Sequence, residues 1–247
     1  MLHKKDIRPL SGLDIKTIQD GVYSHMSKIK CAYFNKQGVK EDEIDGYIST
    51  KKNIELLYKS LPERILGITM VVENTDTKQL PPHKLKRIYF IVVNQNLDEK
   101  RKSFTILHEL GHVLLHKDIL KAGSVLTNLK TRKDNFSYEN YGLCYEAEAN
   151  IFAIIQLIPD KELIFQDKSR LLTEEEIIEQ FNVNRRLAQD RLRSYRIRYP
   201  HKFGIQPEED VFSMDSMVSF NCFKEELTKP EYPFLPESQV SLSGFYV

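Results

Sequence analysis

Within the run SFTILHELGHVLLH, the five residues His108-Glu109-Leu110-Gly111-His112 constrain this chain more than any other stretch. On a helix, His108 and His112 lie one turn apart on one face, so two imidazole nitrogens can meet one ion. Glu109 follows the first histidine, where a carboxylate can act as general base toward a water held by such an ion. Neutral imidazole suits zinc, and catalytic zinc sites use three protein ligands and leave a fourth position open. Ile106, Leu107, Leu110, Val113, Leu114 and Leu115 predict an apolar helical run around the motif, in which Gly111 admits a close neighbour. An ordinary buried helix with two hydrogen-bonded histidines would explain neither Glu109 nor the third ligand that appears downstream.

Composition narrows the remaining options. At 247 residues the chain can bury a real core, as one domain or two. Its net charge of +1 gives no global attraction to nucleic acid. The longest apolar run, Ile151 to Ile158, is interrupted by Gln156 and closed by Pro159, so no membrane span is expected. The start, MLHKKDIRPL, lacks the apolar segment of a signal peptide. Cys31, Cys144 and Cys222 are too few and too scattered for a disulfide framework or a thiolate cluster. A reducing cytosol is the expected location.

From Asp20 to Phe34, Val22, Met26, Ile29 and Tyr33 recur at helical spacing. The segment KQGVKEDEIDGY reads as a charged loop, and residues 50–60 as a second helix ending before Leu61-Pro62. Both helices are expected to cover a sheet. Gly67–Glu73 and Arg87–Asn94 are the two strand candidates, both rich in β-branched residues. Two strands feeding the motif helix predict a small α+β core rather than a repeating parallel α/β fold. An edge strand in such a core can take up an extended peptide. Lys117–Tyr141 is long, polar and without clear periodicity, so it reads either as a lid or substrate wall or as a loose excursion.

A second helix begins around Glu146 and runs to Pro159. Glu146, Ala149, Asn150, Ala153 and Leu157 share one face, and the small residues there would let it approach the Gly111 side of the first helix. Glu148 projects elsewhere, so Glu146 is preferred as third ligand. Asn150, one turn past Glu146, is placed to orient a ligand histidine through its other ring nitrogen. His116, one turn past His112, is read as a packing or hydrogen-bonding residue near the site. Tyr138, Tyr141 and Tyr145 are the candidates for an oxyanion donor, each also explicable as packing under a loop.

From Arg87 to Pro159 the chain resembles the ImmA/IrrE family of zinc metallopeptidases, through the strand ending in VVN, the run FTILHELGHVLLH and the segment EAEANIFAIIQLIP. The resemblance implies a zincin-like core, with His108, His112 and Glu146 as Zn2+ ligands and Glu109 as catalytic glutamate. It also implies an intracellular endopeptidase of phage or mobile-element type that cleaves a helix-turn-helix transcriptional repressor. Gln156 stands where the family usually has a leucine-like residue, a departure that touches packing rather than chemistry.

Leu171–Tyr195 reads as helix, turn and helix, with Thr173 and Glu176 forming a capping box. Between Asn184 and Arg198, six arginines and one aspartate give a local balance of +5. Arg185, Arg186, Arg191 and Arg193 are therefore candidates for contact with nucleic acid or an acidic partner. Packing on the peptidase core is favoured over DNA binding. Residues 205–247 carry a balance of −6 with several aromatics, and read as a tail that packs on the core or meets a partner. The expected organisation is thus a peptidase domain with an N-terminal helical region (1–170), a helix-turn-helix-like segment packed on it (171–200), and an acidic tail (201–247). The competing reading is a non-proteolytic DNA-binding or antirepressor module with a structural metal, which would have no need of Glu109.

Overall fold

Strand β3 (Arg87–Asn94) is the run RIYFIVVN, and it is buried from Tyr89 to Asn94 because it sits inside a sheet rather than at its margin. Around it the described residues form four strands in the order β1-β3-β2-β4. The computed structural model describes residues 12–29, 41–73, 87–120, 123, 125–129, 142–164 and 170–203. Strand β2 (Ile65–Glu73) pairs antiparallel with β3, Thr69 opposite Ile91, and on its other side antiparallel with β4 (Val125–Leu129), Thr69 opposite Leu126. Strand β4 lies within the segment read as unstructured, so part of that stretch completes the sheet. The residues on either side of it lie outside the described ones.

Residues 50–60 do not form the expected helix. Ile54–Lys59 is strand β1, which pairs parallel to β3 in unbroken register from Ile54 opposite Tyr89 to Lys59 opposite Asn94. Six residues before a proline make a poor helix, and the free edge of β3 offers their backbone groups partners. The helix lies instead in the preceding charged stretch. Helix α2 (Glu41–Ser49) carries Glu41, Asp42 and Glu43 in its first turn, which suits the helix dipole, and buries Ile44, Tyr47 and Ile48 at helical spacing. Helix α1 (Gly12–Ile29) begins earlier than expected and packs on α4 (Gly142–Leu157) and α6 (Arg185–Arg198), whereas α2 lies on β1 and the motif helix.

That motif helix, α3 (Glu99–Leu115), is capped by Asp98, whose side chain accepts from the Arg101 amide at 3.0 Å. Every residue from Thr105 to Val113 is buried. The reason is position: β2 and β3 cover one side of α3, and α4 covers another. The approach of α4 depends on Gly111. A Cβ there would lie 3.1 Å from Phe152 Cδ1 and 3.2 Å from Ala149 Cα. Ala149 is backbone contact that cannot yield without moving the whole of α4. Gly111→Val is therefore expected to destabilise the protein by about 1–3 kcal/mol, read as a lowered urea midpoint, and an unchanged midpoint would show that the two helices are not held this close.

After a 3-10 turn at Asp160–Glu162 come α5 (Glu174–Phe181) and α6. The capping box is present: Thr173 Oγ1 accepts from the Glu176 amide, and the Glu176 carboxylate accepts from the Thr173 amide at 2.7 Å. Asn182, at φ 50°, makes the left-handed turn between the helices. Ile177, Phe181, Val183, Leu187, Ala188 and Tyr195 join the same buried cluster as α3 and α4. The fold is thus a mixed sheet packed with helices, a zincin-like core carrying a helix-turn-helix-like pair. No helix among the described residues is long and apolar enough to cross a membrane.

Candidate metal centre

Three side chains from α3 and α4 converge where the helices meet. His108 Nε2 and His112 Nε2 are 3.1 Å apart, and the two oxygens of Glu146 lie 3.3 Å from the first and 3.2 Å from the second. One ligand atom from each residue lies within 4.8 Å of the others. Both imidazoles are buried, while Glu146 keeps a third of its side chain open to solvent. Two borderline nitrogen donors and one carboxylate are the donor set of a catalytic zinc site with a remaining open position.

Electrostatics suit two of the three groups to a cation. Burial opposes ionisation of Glu146, but the two facing imidazoles outweigh it and hold its carboxyl well below the usual range. Burial keeps His112 neutral, pushing its pKa down to about 4 despite the opposing pull of Glu146. His108 differs: burial opposes its protonation, but the facing Glu146 carboxylate outweighs burial and raises its pKa, so a metal meeting its Nε2 must displace a proton. Asn150 Oδ1 lies 2.9 Å from His108 Nδ1, which holds a ring proton on Nδ1 and makes Nε2 the nitrogen that would meet a metal.

The Glu109 carboxylate meets β2. Its Oε2 accepts from Thr69 Oγ1 at 2.6 Å, whereas its Oε1, fully buried, has no partner among the described residues. A buried carboxylate oxygen without a donor is costly unless the site supplies one, so the residues fit a metal centre with a polar occupant beside Glu109. Burial raises the Glu109 pKa to about 7, against the lowering effects of the His108 charge and the Thr69 bond. Gly67 completes this cradle: a Cβ there would fall 2.6 Å from Thr105 Cγ2 and 2.9 Å from Glu109 Oε1.

A model of the peptidase M78 family, described as the IrrE N-terminal-like domain, matches residues 63–193, just over half of the chain. The chain belongs to this family. The matched stretch of this M78 member runs from the turn before β2 to within α6, so it holds every residue of the metal centre. The chain is also similar to "Uncharacterized immunity region protein 2" of Bacillus phage phi105, 39% identical over 75 residues. That alignment spans 30% of this chain and 41% of the phage protein.

Of the residues predicted from sequence, His108, His112, Glu146, Glu109 and Asn150 come together as one group. Tyr145 lies against His116, ring centroids 4.7 Å apart, while Tyr138 and Tyr141 fall outside the described residues. Among the arginines, Arg191 must be corrected. It is 1% exposed, donates from Nε to the Ile158 carbonyl at 2.7 Å and pairs with Asp160, so it is a core residue rather than a contact for nucleic acid. Arg185 and Arg186 are exposed and Arg193 is half-buried; Arg185 donates to Glu174 and Glu175. Thr69 and Gly67 were not legible as site residues, because neither has a sequence signal that distinguishes it from an ordinary strand position. Glu148, set aside as a ligand, reaches the last histidine of α3 instead. Its carboxylate lies 2.7 Å from His116 Nε2, and His116 Nδ1 lies 3.1 Å from His112 Nδ1. The i, i+4, i+8 spacing of three histidines was the available signal for that line of contacts.

Proposed function

We propose that this protein is an intracellular zinc endopeptidase that cleaves a regulatory protein, a helix-turn-helix transcriptional repressor. The observation that carries the reading is the convergence of His108, His112 and Glu146 with a buried Glu109 whose Oε1 has no partner among the described residues. Zinc held by those three residues would polarise a scissile carbonyl and lower the pKa of water. Glu109 would then take a proton from the attacking water through Oε1 and return it to the leaving amine, while Thr69 holds Oε2 in place. A structural metal site would not need that carboxylate. Strand β4 is an edge of the sheet among the described residues and neighbours the strand that carries Thr69. An extended substrate segment adding to that edge would run beside the site.

The choice of a repressor as substrate draws on the family and on the phage relative, which is named for an immunity region. Carried to this chain, that name supports control of a mobile element's genes rather than digestion. The test is to incubate the zinc-loaded protein with a panel of helix-turn-helix repressors, any encoded beside its gene included, and identify products by mass spectrometry. Cleavage at one bond by wild type, absent with Glu109→Gln, is the expected result. An intact repressor, or equal cleavage by the variant, would overturn the reading.

A further inference from the structure

His116 and Glu148 are absorbed by neither the ligand set nor the proton transfer, yet they form a continuous line behind His112. His116 closes α3, is 4% exposed and packs between the His112 ring and Tyr145. Its Nε2 faces the Glu148 carboxylate at 2.7 Å, and its Nδ1 faces His112 Nδ1 at 3.1 Å. Hydrogen-bond chemistry allows one assignment along this line when both rings are neutral. An ionised carboxylate only accepts, so His116 must donate to it from Nε2–H. A neutral imidazole has a single N–H, so His116 Nδ1 is then bare and can only accept. The donor to it must be His112 Nδ1–H, which leaves the lone pair of His112 on Nε2, the atom that faces His108 and Glu146.

We infer that Glu148 and His116 act as a two-membered relay that fixes the proton of His112 on Nδ1 and so keeps Nε2 ready for the metal. The inference rests on the zinc reading of the site. It makes the two ligand histidines equivalent by different means: Asn150 sets His108 directly, and Glu148 sets His112 through one intervening ring. Glu148 and His116 are positioning residues, since neither is within the ligand triad itself. The relay also explains why two carboxylates two residues apart on α4 act on different atoms. Glu146 meets the imidazole Nε2 atoms and Glu148 reaches the end of α3.

The test uses the full chain and zinc alone as probe. Zinc dissociation constants are measured by chelator competition for wild type, Glu148→Ala, His116→Phe and His116→Asn, with the thermal midpoint of each metal-free protein recorded alongside. Loss of the relay is expected to weaken zinc about 10–100-fold in Glu148→Ala and His116→Phe. His116→Asn, whose amide oxygen can accept near the position of Nδ1, is expected to recover most of that loss. Metal-free midpoints close to wild type would assign the effect to the site rather than to general unfolding. If His116→Phe does not fold, Glu148→Ala decides alone, since its carboxylate is a third exposed and its removal leaves no large cavity. Independently of metal, long-range 1H–15N NMR on the zinc-free protein should find His112 protonated on Nδ1 in wild type and on both nitrogens in mixture in Glu148→Ala. Wild-type zinc affinity in both variants, or a His112 proton on Nε2 in wild type, overturns the relay. Failure of wild type to bind zinc would overturn the zinc reading itself, and the NMR result would still report on the hydrogen-bond order.

Discussion

Glu109→Gln is expected to lower peptide cleavage about 10²–10⁴-fold while leaving the bound zinc unchanged, measured as turnover of the cleaved repressor against metal content. Gln has the same shape, so its carbonyl oxygen can still accept from Thr69, whose Oγ1 lies 2.6 Å from Oε2 in the native protein. What it loses is the capacity to take a proton at Oε1. The same substitution is expected to act on stability in the opposite direction. Burial holds the Glu109 pKa at about 7, above its ordinary 4.5, so the folded state favours the neutral acid. A raised carboxyl pKa contributes stability fully below the ordinary value and loses it as pH climbs through the folded one. At pH 8 the metal-free wild type therefore bears an ionised, buried carboxylate with one oxygen unpartnered among the described residues, and Gln removes that charge. The metal-free variant should melt at or above wild type at pH 8, with the difference shrinking toward pH 4. A variant that melts well below wild type at pH 8 would mean that the Glu109 carboxylate is held by donors that Gln cannot satisfy.

The centre was legible in the sequence to the extent that its chemistry is local. His108, Glu109 and His112 announce themselves by spacing on one helix, and Glu146 and Asn150 follow from the small-residue face of the next, with Ala149 meeting Gly111. Capping residues were equally readable, because Thr173 and Glu176 act within one turn. What could not be read depends on partners far along the chain. Ile54–Lys59 becomes a strand only because β3 has an edge for it, and Thr69 becomes a site residue only because β2 passes under Glu109, forty positions away. Arg191 shows the same limit from the other side. An arginine in a basic helix looks solvated until Asp160 and the Ile158 carbonyl are found beside it. Charge runs say how much charge a helix carries, whereas burial decides which of those charges face water.

Asp160→Ala, outside the metal centre, should destabilise the protein by about 3–5 kcal/mol in urea unfolding. Asp160 follows α4 and gathers three elements at one carboxylate: it pairs with Arg191 of α6, and accepts from the hydroxyls of Tyr23 in α1 and of Tyr199 at the end of α6, the latter at 2.7 Å. Arg198 adds to the cluster, its guanidinium 3.6 Å over the Tyr23 ring. Removing the carboxylate leaves Arg191 charged and 1% exposed, with the Ile158 carbonyl and Ser194 as its remaining described acceptors. The cost is that of an uncompensated buried charge, not the loss of a favourable surface pair. Replacing both partners, as Asp160→Leu with Arg191→Met, should therefore recover much of the loss, and the shortfall from additivity measures the coupling. Acid should bring the two proteins closer in stability. Burial alone would raise the Asp160 pKa, but the Arg191 charge outweighs it and holds the carboxyl below its ordinary 3.8. Its contribution is present above that value and lost as pH falls through the lower folded one, so Asp160→Ala should lack that part of the wild-type acid transition. A cost below about 1 kcal/mol would place the cluster with exposed ion pairs, and α4 would then owe its position to apolar packing alone. The larger cost would mean that the helix presenting Glu146 at one end is tied at the other to both α1 and α6, which is how a carboxylate a third open to solvent keeps its place before two buried histidines.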